Sequence, residues 1–177
     1  MKTKSLKSYK TPLRYPGGKS RALSKLFQFI PDLKNYTEFR EPFLGGGSVA
    51  IEIGKRYPHI DIWVNDLYEP LYNFWKVLQS DGDKLKDILL QLKQRHPDFG
   101  SAKQLFLDAK DYLAKPVGNS IDRAVSFYVV NKCSFSGLTE SSSFSEQASD
   151  ANFSMRGIDK LPVYSKLIKD WYITNHF

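Results

Sequence analysis

The stretch EFREPFLGGGSVAIEIGKRYPHIDIWVND, Glu38 to Asp66, constrains the fold more than any other part of this chain of 177 residues. Tyr36 to Phe43 reads as a β-strand and Leu44 to Ser48 as a turn. Ser48 to Tyr57 reads as a helix with Ser48 available as its cap. His59 to Asp66 is a second strand, in which Ile60, Ile62 and Val64 alternate. Strand, glycine turn, helix and strand make a βαβ unit, which demands parallel strands and a right-handed crossover. The fold class is therefore α/β.

The flanking sequence fits around that unit. From Ser20 onward, Leu23, Leu26, Phe27 and Ile30 have the spacing of an amphipathic helix that Pro31 stops. Beyond Asp66 the pattern turns helical: Leu67–Gln79, Asp83–His96, Ser101–Ala114 and Ser120–Lys132 read as four helices inserted on the α/β core. Ser134 to Ser154 is serine-rich and aperiodic, much longer than an ordinary connection. Asp170 to Phe177 reads as a last strand.

Composition restricts the partners. A chain that is 41% hydrophobic and 14% aromatic can bury one globular core. It has no apolar run long enough to cross a bilayer, and its first residues lack the apolar region of a secretory signal, so a soluble protein is expected with no membrane partner. The single cysteine, Cys133, cannot form an internal disulfide and fits a reducing, cytoplasmic compartment. The net charge of +7 is uneven: residues 1–31 hold eight Lys and Arg and no acid, leaving 18 bases against 19 acids elsewhere. Such an arm, spanning Lys2 to Arg21, is a footprint for polyanions, most often nucleic acid.

Two glycine clusters carry the chemistry. At the carboxyl end of the first strand, Gly45, Gly46 and Gly47 allow a tight turn and close approach of a ligand to the backbone, while the following helix points its first amides at it. Asp66, at the end of the second strand, is placed to accept from ribose hydroxyls. The position three after Gly47 is Ala50, so the dinucleotide fingerprint G-x-G-x-x-G is only partly matched, and no lysine follows to make a Walker loop. In the earlier cluster, Lys19 follows Gly17 and Gly18 and presents an ammonium to a carboxylate or phosphate, and Tyr15 offers an aromatic face for a cation or a flat base.

Taken together, RYPGGKS, FREPFLGGGSV and VNDLYEPLYNFW resemble, in order and spacing, the amino-terminal half of the Dam type DNA adenine methyltransferases. These enzymes move a methyl group from S-adenosylmethionine (SAM) to the exocyclic amine of adenine. FYVVNKCSFSGL is similar, more loosely, to a later family segment. The resemblance implies a SAM-dependent methyltransferase (Rossmann-like) parallel sheet, incomplete here, with a helical target-recognition insertion. Residues 1–10 would be a basic flexible arm, 11–71 the SAM-binding part, 72–167 the target-recognition region and 168–177 a return strand to the sheet. Tyr15 and Lys19 would border SAM, with Lys19 near its carboxylate or the methyl-transfer centre. Glu41, Pro42, Phe43, Gly45 and Gly47 would lie beside its methionine part, Asp66 would hold the ribose, and Leu67 or Tyr68 would flank the adenine ring. Asn131, Lys132, Phe135 and Gly137 match a DNA-contacting loop of the family. There Phe135 would wedge into double-stranded DNA as the target adenine flips out, or else fold onto the core.

One departure matters most. The family's catalytic Asp-Pro-Pro-Tyr is missing, since none of the nine prolines is adjacent to another. No residue is therefore assigned to catalysis, and no metal is expected. The expectation is a fragment or one half of a split enzyme, completed by a second chain or a further carboxyl-terminal segment. The alternative is a non-catalytic SAM- or DNA-binding relative. A second departure is Glu140, an acid in the loop that would read bases. A nicotinamide-dependent oxidoreductase would share the βαβ unit but leaves Tyr15 to Lys19 unexplained.

Overall fold

The computed structural model describes residues 10–116, 118–137 and 141–177. Residues 1–9 of the basic arm, with Lys2, Lys4 and Lys7, and also Glu140, lie outside the described residues. Three strands form one sheet in the order β1 (Glu38–Glu41), β2 (Asp61–Asn65), β3 (Tyr172–Thr174). Both pairings are parallel, with Phe39 opposite Ile62, Trp63 opposite Tyr172 and Val64 opposite Ile173. In-register partners share a face. Phe39, Ile62, Val64 and Ile173 therefore point one way, into the core, and Glu38, Arg40, Trp63 and Tyr172 point the other.

Among the described residues, helices cover only the first of these faces. A 3₁₀ turn over Lys19–Arg21 leads into α1 (Leu23–Leu26), and α2 (Ser48–Arg56) makes the crossover from β1 to β2. The helical layer is α3 (Glu69–Arg95), α4 (Phe99–Ala114) and α5 (Ser120–Cys133), followed by the short α6 (Glu146–Ala151), α7 (Met155–Ile158) and α8 (Leu161–Leu167). α3 lies against α5 and α8, and α4 lies against α5. α5 is buried from Arg123 to Asn131, so it has no polar stripe, which is why its sequence reads as nearly continuous apolar residues. Phe74 stacks on Tyr128 at 5.9 Å between ring centres. The buried Arg123 is satisfied by Glu69, at 2.6 Å, and by the Lys115 carbonyl. Gln79 donates to the carbonyls of Ile168 and Trp171 and so fastens α3 to the approach to β3.

Cys133 ends α5 with no exposed surface, and burial pushes its thiol up to about 12. Among the described residues no helix is long and apolar enough to cross a membrane.

Several local expectations are corrected. The helix expected from Ser20 to Ile30 is cut to the 3₁₀ turn and the four residues of α1; further turns carry the chain to Pro31, and Leu23 alone of its apolar set is buried. The two helices expected on either side of Ser80 are one element with a non-helical residue, Asp81 (φ −132°). There Gly82 meets α8 so closely that a Cβ would lie 2.5 Å from that of Ser165. The serine-rich stretch contains a bridge between Ser134 and Phe144 and the helix α6, capped by the Ser145 hydroxyl. Its serines are capping and turn formers as well as loop residues.

Candidate cofactor cleft and recognition loop

The carboxyl ends of β1 and β2 open into a cleft of about 600 Å³. Its walls are the Tyr15–Lys19 turn on one side and Glu41 to Val49 on the other, with Asp66 between. Every residue expected beside the cofactor, namely Tyr15, Lys19, Glu41, Pro42, Phe43, Gly45, Gly47 and Asp66, lines this one space. Leu67 and Tyr68 follow directly on Asp66, Leu67 exposed and Tyr68 packed on the core.

The glycines are explained by what lies against them. Gly45 and Gly47 adopt left-handed φ values of 51° and 69°. A Cβ on Gly45 would come within 2.9 Å of the Tyr15 ring, and one on Gly47 within 2.8 Å of the Trp75 indole. The turn is thus held between two aromatics, and Trp75 also donates to the Gly45 carbonyl at 3.2 Å. The two glycine clusters form one object: the Tyr15 ring lies over the second. Trp75 is a contributor that the sequence does not announce, because its spacing is that of an ordinary core residue of α3.

Ser48 is not the cap of α2. Gly47 takes that position and Ser48 is the buried first helical residue, with no side-chain cap. The carboxylate of Glu41, at the end of β1, accepts instead from the Ala50 amide at 3.0 Å. Burial pushes the Glu41 carboxyl up to about 7, with Asp66 adding repulsion, while the Ala50 amide and Lys19 favour the charged form. Lys19 itself is exposed and donates to the Gly17 carbonyl at 3.2 Å. Burial, and then the charge of Asp66, raises the Tyr15 phenol above its usual range.

Asp66 is held on both oxygens, one accepting from the Gly45 amide at 2.8 Å and the other from the Tyr68 amide at 3.1 Å. Each oxygen keeps a further lone pair. Its neighbour Asn65 turns to the opposite face, where its carboxamide accepts from the His176 amide at 2.9 Å and donates to the His176 carbonyl at 3.0 Å. Asn175 donates to the Asp66 carbonyl at 2.6 Å. The last residues thereby brace the end of β2.

The residues expected to touch DNA divide. Phe135 is 68% exposed in a 3₁₀ turn, Phe135–Gly137, just after α5. Asn131 is 1% exposed, and its carboxamide is spent on main chain: it accepts from the Arg14 amide at 3.0 Å and donates to the Arg14 and Gly137 carbonyls. The Asn131 carboxamide is thus paired within the protein. Lys132 is half-buried with its ammonium 5.2 Å from the centre of the Tyr128 ring, and burial, with repulsion from Arg14, lowers its pKa to about 8. Gly137 is buried at φ 75° against Arg14.

A glycine turn at the carboxyl end of a parallel strand, an acid at the end of the next and an aromatic flap define a nucleotide-cofactor module of the α/β class. The donor set suits a cofactor with hydroxyls for Asp66, a cation for the desolvated Glu41 and a carboxylate for Lys19. The chain belongs to the D12 class N6 adenine-specific DNA methyltransferase family, whose model matches residues 15–175. It is 29% identical over 133 residues to the Type II methyltransferase M.MjaIII of Methanocaldococcus jannaschii, covering 71% of this chain and 46% of that protein. It is also 29% identical over 126 residues to the DNA N-6-adenine-methyltransferase of Escherichia phage P1, covering 71% of this chain and 15% of that one. The chain thus spans less than half the length of either relative.

Proposed function

We propose that the chain is the SAM-binding and target-recognition portion of an adenine-specific DNA methyltransferase acting on double-stranded DNA in a cytoplasmic setting. The observation that carries this is the convergence of Tyr15, Lys19, Glu41, the glycine turn and Asp66 on one cleft in a chain of this family. SAM, when bound, supplies an electrophilic methyl on a sulfonium. Asp66 would hold the ribose hydroxyls through its free lone pairs, Glu41 would accept from the methionine ammonium, and Lys19 would pair with the carboxylate. Phe135, exposed at the tip of its turn, is the residue suited to enter a base stack.

Activation of the adenine amine needs the Asp-Pro-Pro-Tyr that these 177 residues do not contain. Among the described residues one face of the sheet carries no helix and the outer edge of β1 has no partner, and both fit a second polypeptide segment bearing that motif, because parallel sheets are ordinarily covered on both faces. The other reading is a relative that binds SAM or DNA without catalysis. The first reading requires cofactor binding; a DNA-binding relative does not.

Calorimetric titration of SAM into the 177-residue chain tests it, with Asp66→Ala as the control. Saturable binding that is lost in a folded Asp66→Ala variant is expected. No binding to the folded parent, or binding that survives the substitution, refutes the assignment of this cleft.

A further inference from the structure

The segment Thr11–Lys19 touches two regions that lie about 85 residues apart in the sequence. On one side the Thr11 hydroxyl donates to the Gly46 carbonyl and the Tyr15 ring lies against Gly45 and Gly46, so the segment forms a wall of the cleft. On the other side Arg14 is fixed to the end of α5 and the turn that follows. Its amide and carbonyl both pair with the Asn131 carboxamide, and its guanidinium donates to the Ser134 carbonyl at 2.7 Å. Asn131 therefore behaves toward Arg14 as an adjacent strand would, and its second N–H holds the Gly137 carbonyl. With Asn131 buried, each of these groups has exchanged water for this one side chain, so its loss leaves polar groups unsatisfied.

We propose that Asn131 is a positioning residue: it sets the Thr11–Lys19 strap against both the cofactor cleft and the Phe135 turn, and couples the two. Asn131 does not line the cleft, so any effect on the cleft travels through Arg14 to Tyr15. A ligand that engages Tyr15 bears on the seat of the Phe135 turn, and a ligand on that turn bears on Tyr15 in return. The proposal extends the SAM reading above but rests on it only where SAM is used.

Hydrogen exchange read by mass spectrometry on the ligand-free 177-residue chain tests the strap without any cofactor. In Asn131→Leu, which keeps the volume and removes the pairing, peptides covering Leu13–Gly18 and Leu44–Ser48 should exchange about tenfold faster than in the parent, while α4 keeps its protection. Gly137→Ala attacks the same contact differently, since its Cβ would stand 2.7 Å from that of Arg14 at a φ of 75°, and should give the same pattern. Unchanged protection at Leu44–Ser48 in both variants overturns the proposal. So does a uniform rise that includes α4, which would assign Asn131 to general stability. SAM titrated into the two variants should bind about tenfold more weakly than to the parent, within the usual range of coupling. Parental affinity in folded variants also overturns it. A parent that binds no SAM instead refutes the cofactor assignment, and the exchange experiment then decides the strap by itself.

Discussion

The two faces of the sheet are made from alternate residues of the same three strands, yet one is a core and the other is a surface. On the covered side, Ile62, Val64 and Ile173 are buried beneath α2, α3 and α8. On the other, Tyr172 is 67% exposed, and Arg40 pairs with Glu38 while lying 5.6 Å from the centre of the Trp63 ring. Together with Asp61 and Asp170 these residues line a shallow hollow of about 430 Å³. A parallel sheet covered on both faces is apolar on both. This one carries charges and aromatics on its second face.

The difference can be broken by substitution. The largest effect is expected on the covered face, where Ile62→Ala should lower the unfolding free energy in urea by about 4 kcal/mol by removing packed methyl groups. A loss under about 1 kcal/mol would mean that this face is not the core.

Next comes Glu41, which lies on the covered side at its carboxyl end. Its folded pKa of about 7 stands above the ordinary 4.5. Between those values the folded state keeps a proton that the unfolded state has released, so stability falls as pH rises from 4.5 and the whole deficit is present above 7. Glu41→Gln can still accept from the Ala50 amide without carrying charge. It should therefore exceed the parent by about 2 kcal/mol at about pH 8 and match it at about pH 4. Parallel pH profiles for the two proteins would contradict a desolvated Glu41. A bound cation beside this carboxylate would favour its charged form, so SAM affinity should also climb as pH passes through 7.

The smallest effect is reserved for the open face, where Tyr172→Ala should shift the stability of the chain alone by less than about 0.5 kcal/mol. A larger cost, or a change in sedimentation coefficient, would reveal that something already covers that face.

Much of this arrangement was legible in the sequence. The alternation in Ile60-Asp61-Ile62-Trp63-Val64 places β2, and the turn after β1 follows from three successive glycines. The residues that line the cleft follow from the family resemblance that the two glycine clusters and Asp66 carry. What escaped depends on contacts distant in sequence. α1 is short although Leu26, Phe27 and Ile30 have helical spacing, since only Leu23 finds a buried site. Ser48 looks like a cap to any local rule, and only the fold brings Glu41 to the same amides. The resemblance places Asn131 in a DNA-contacting loop, and only the fold shows its carboxamide paired with Arg14, 117 positions away. Trp75 gives no signal of its own, since one indole packed under a glycine turn is indistinguishable in sequence from one packed anywhere else.

The chain's one thiol gives it a built-in clock. Cys133 is enclosed where α5 ends, among groups that must separate before solvent arrives, and burial suppresses its thiolate. An alkylating or aromatic disulfide reagent added to the native chain would therefore react only with opened molecules. At reagent concentrations high enough to outpace reclosing, the labelling rate reads out how often the helical layer comes apart, with no probe attached and no residue changed.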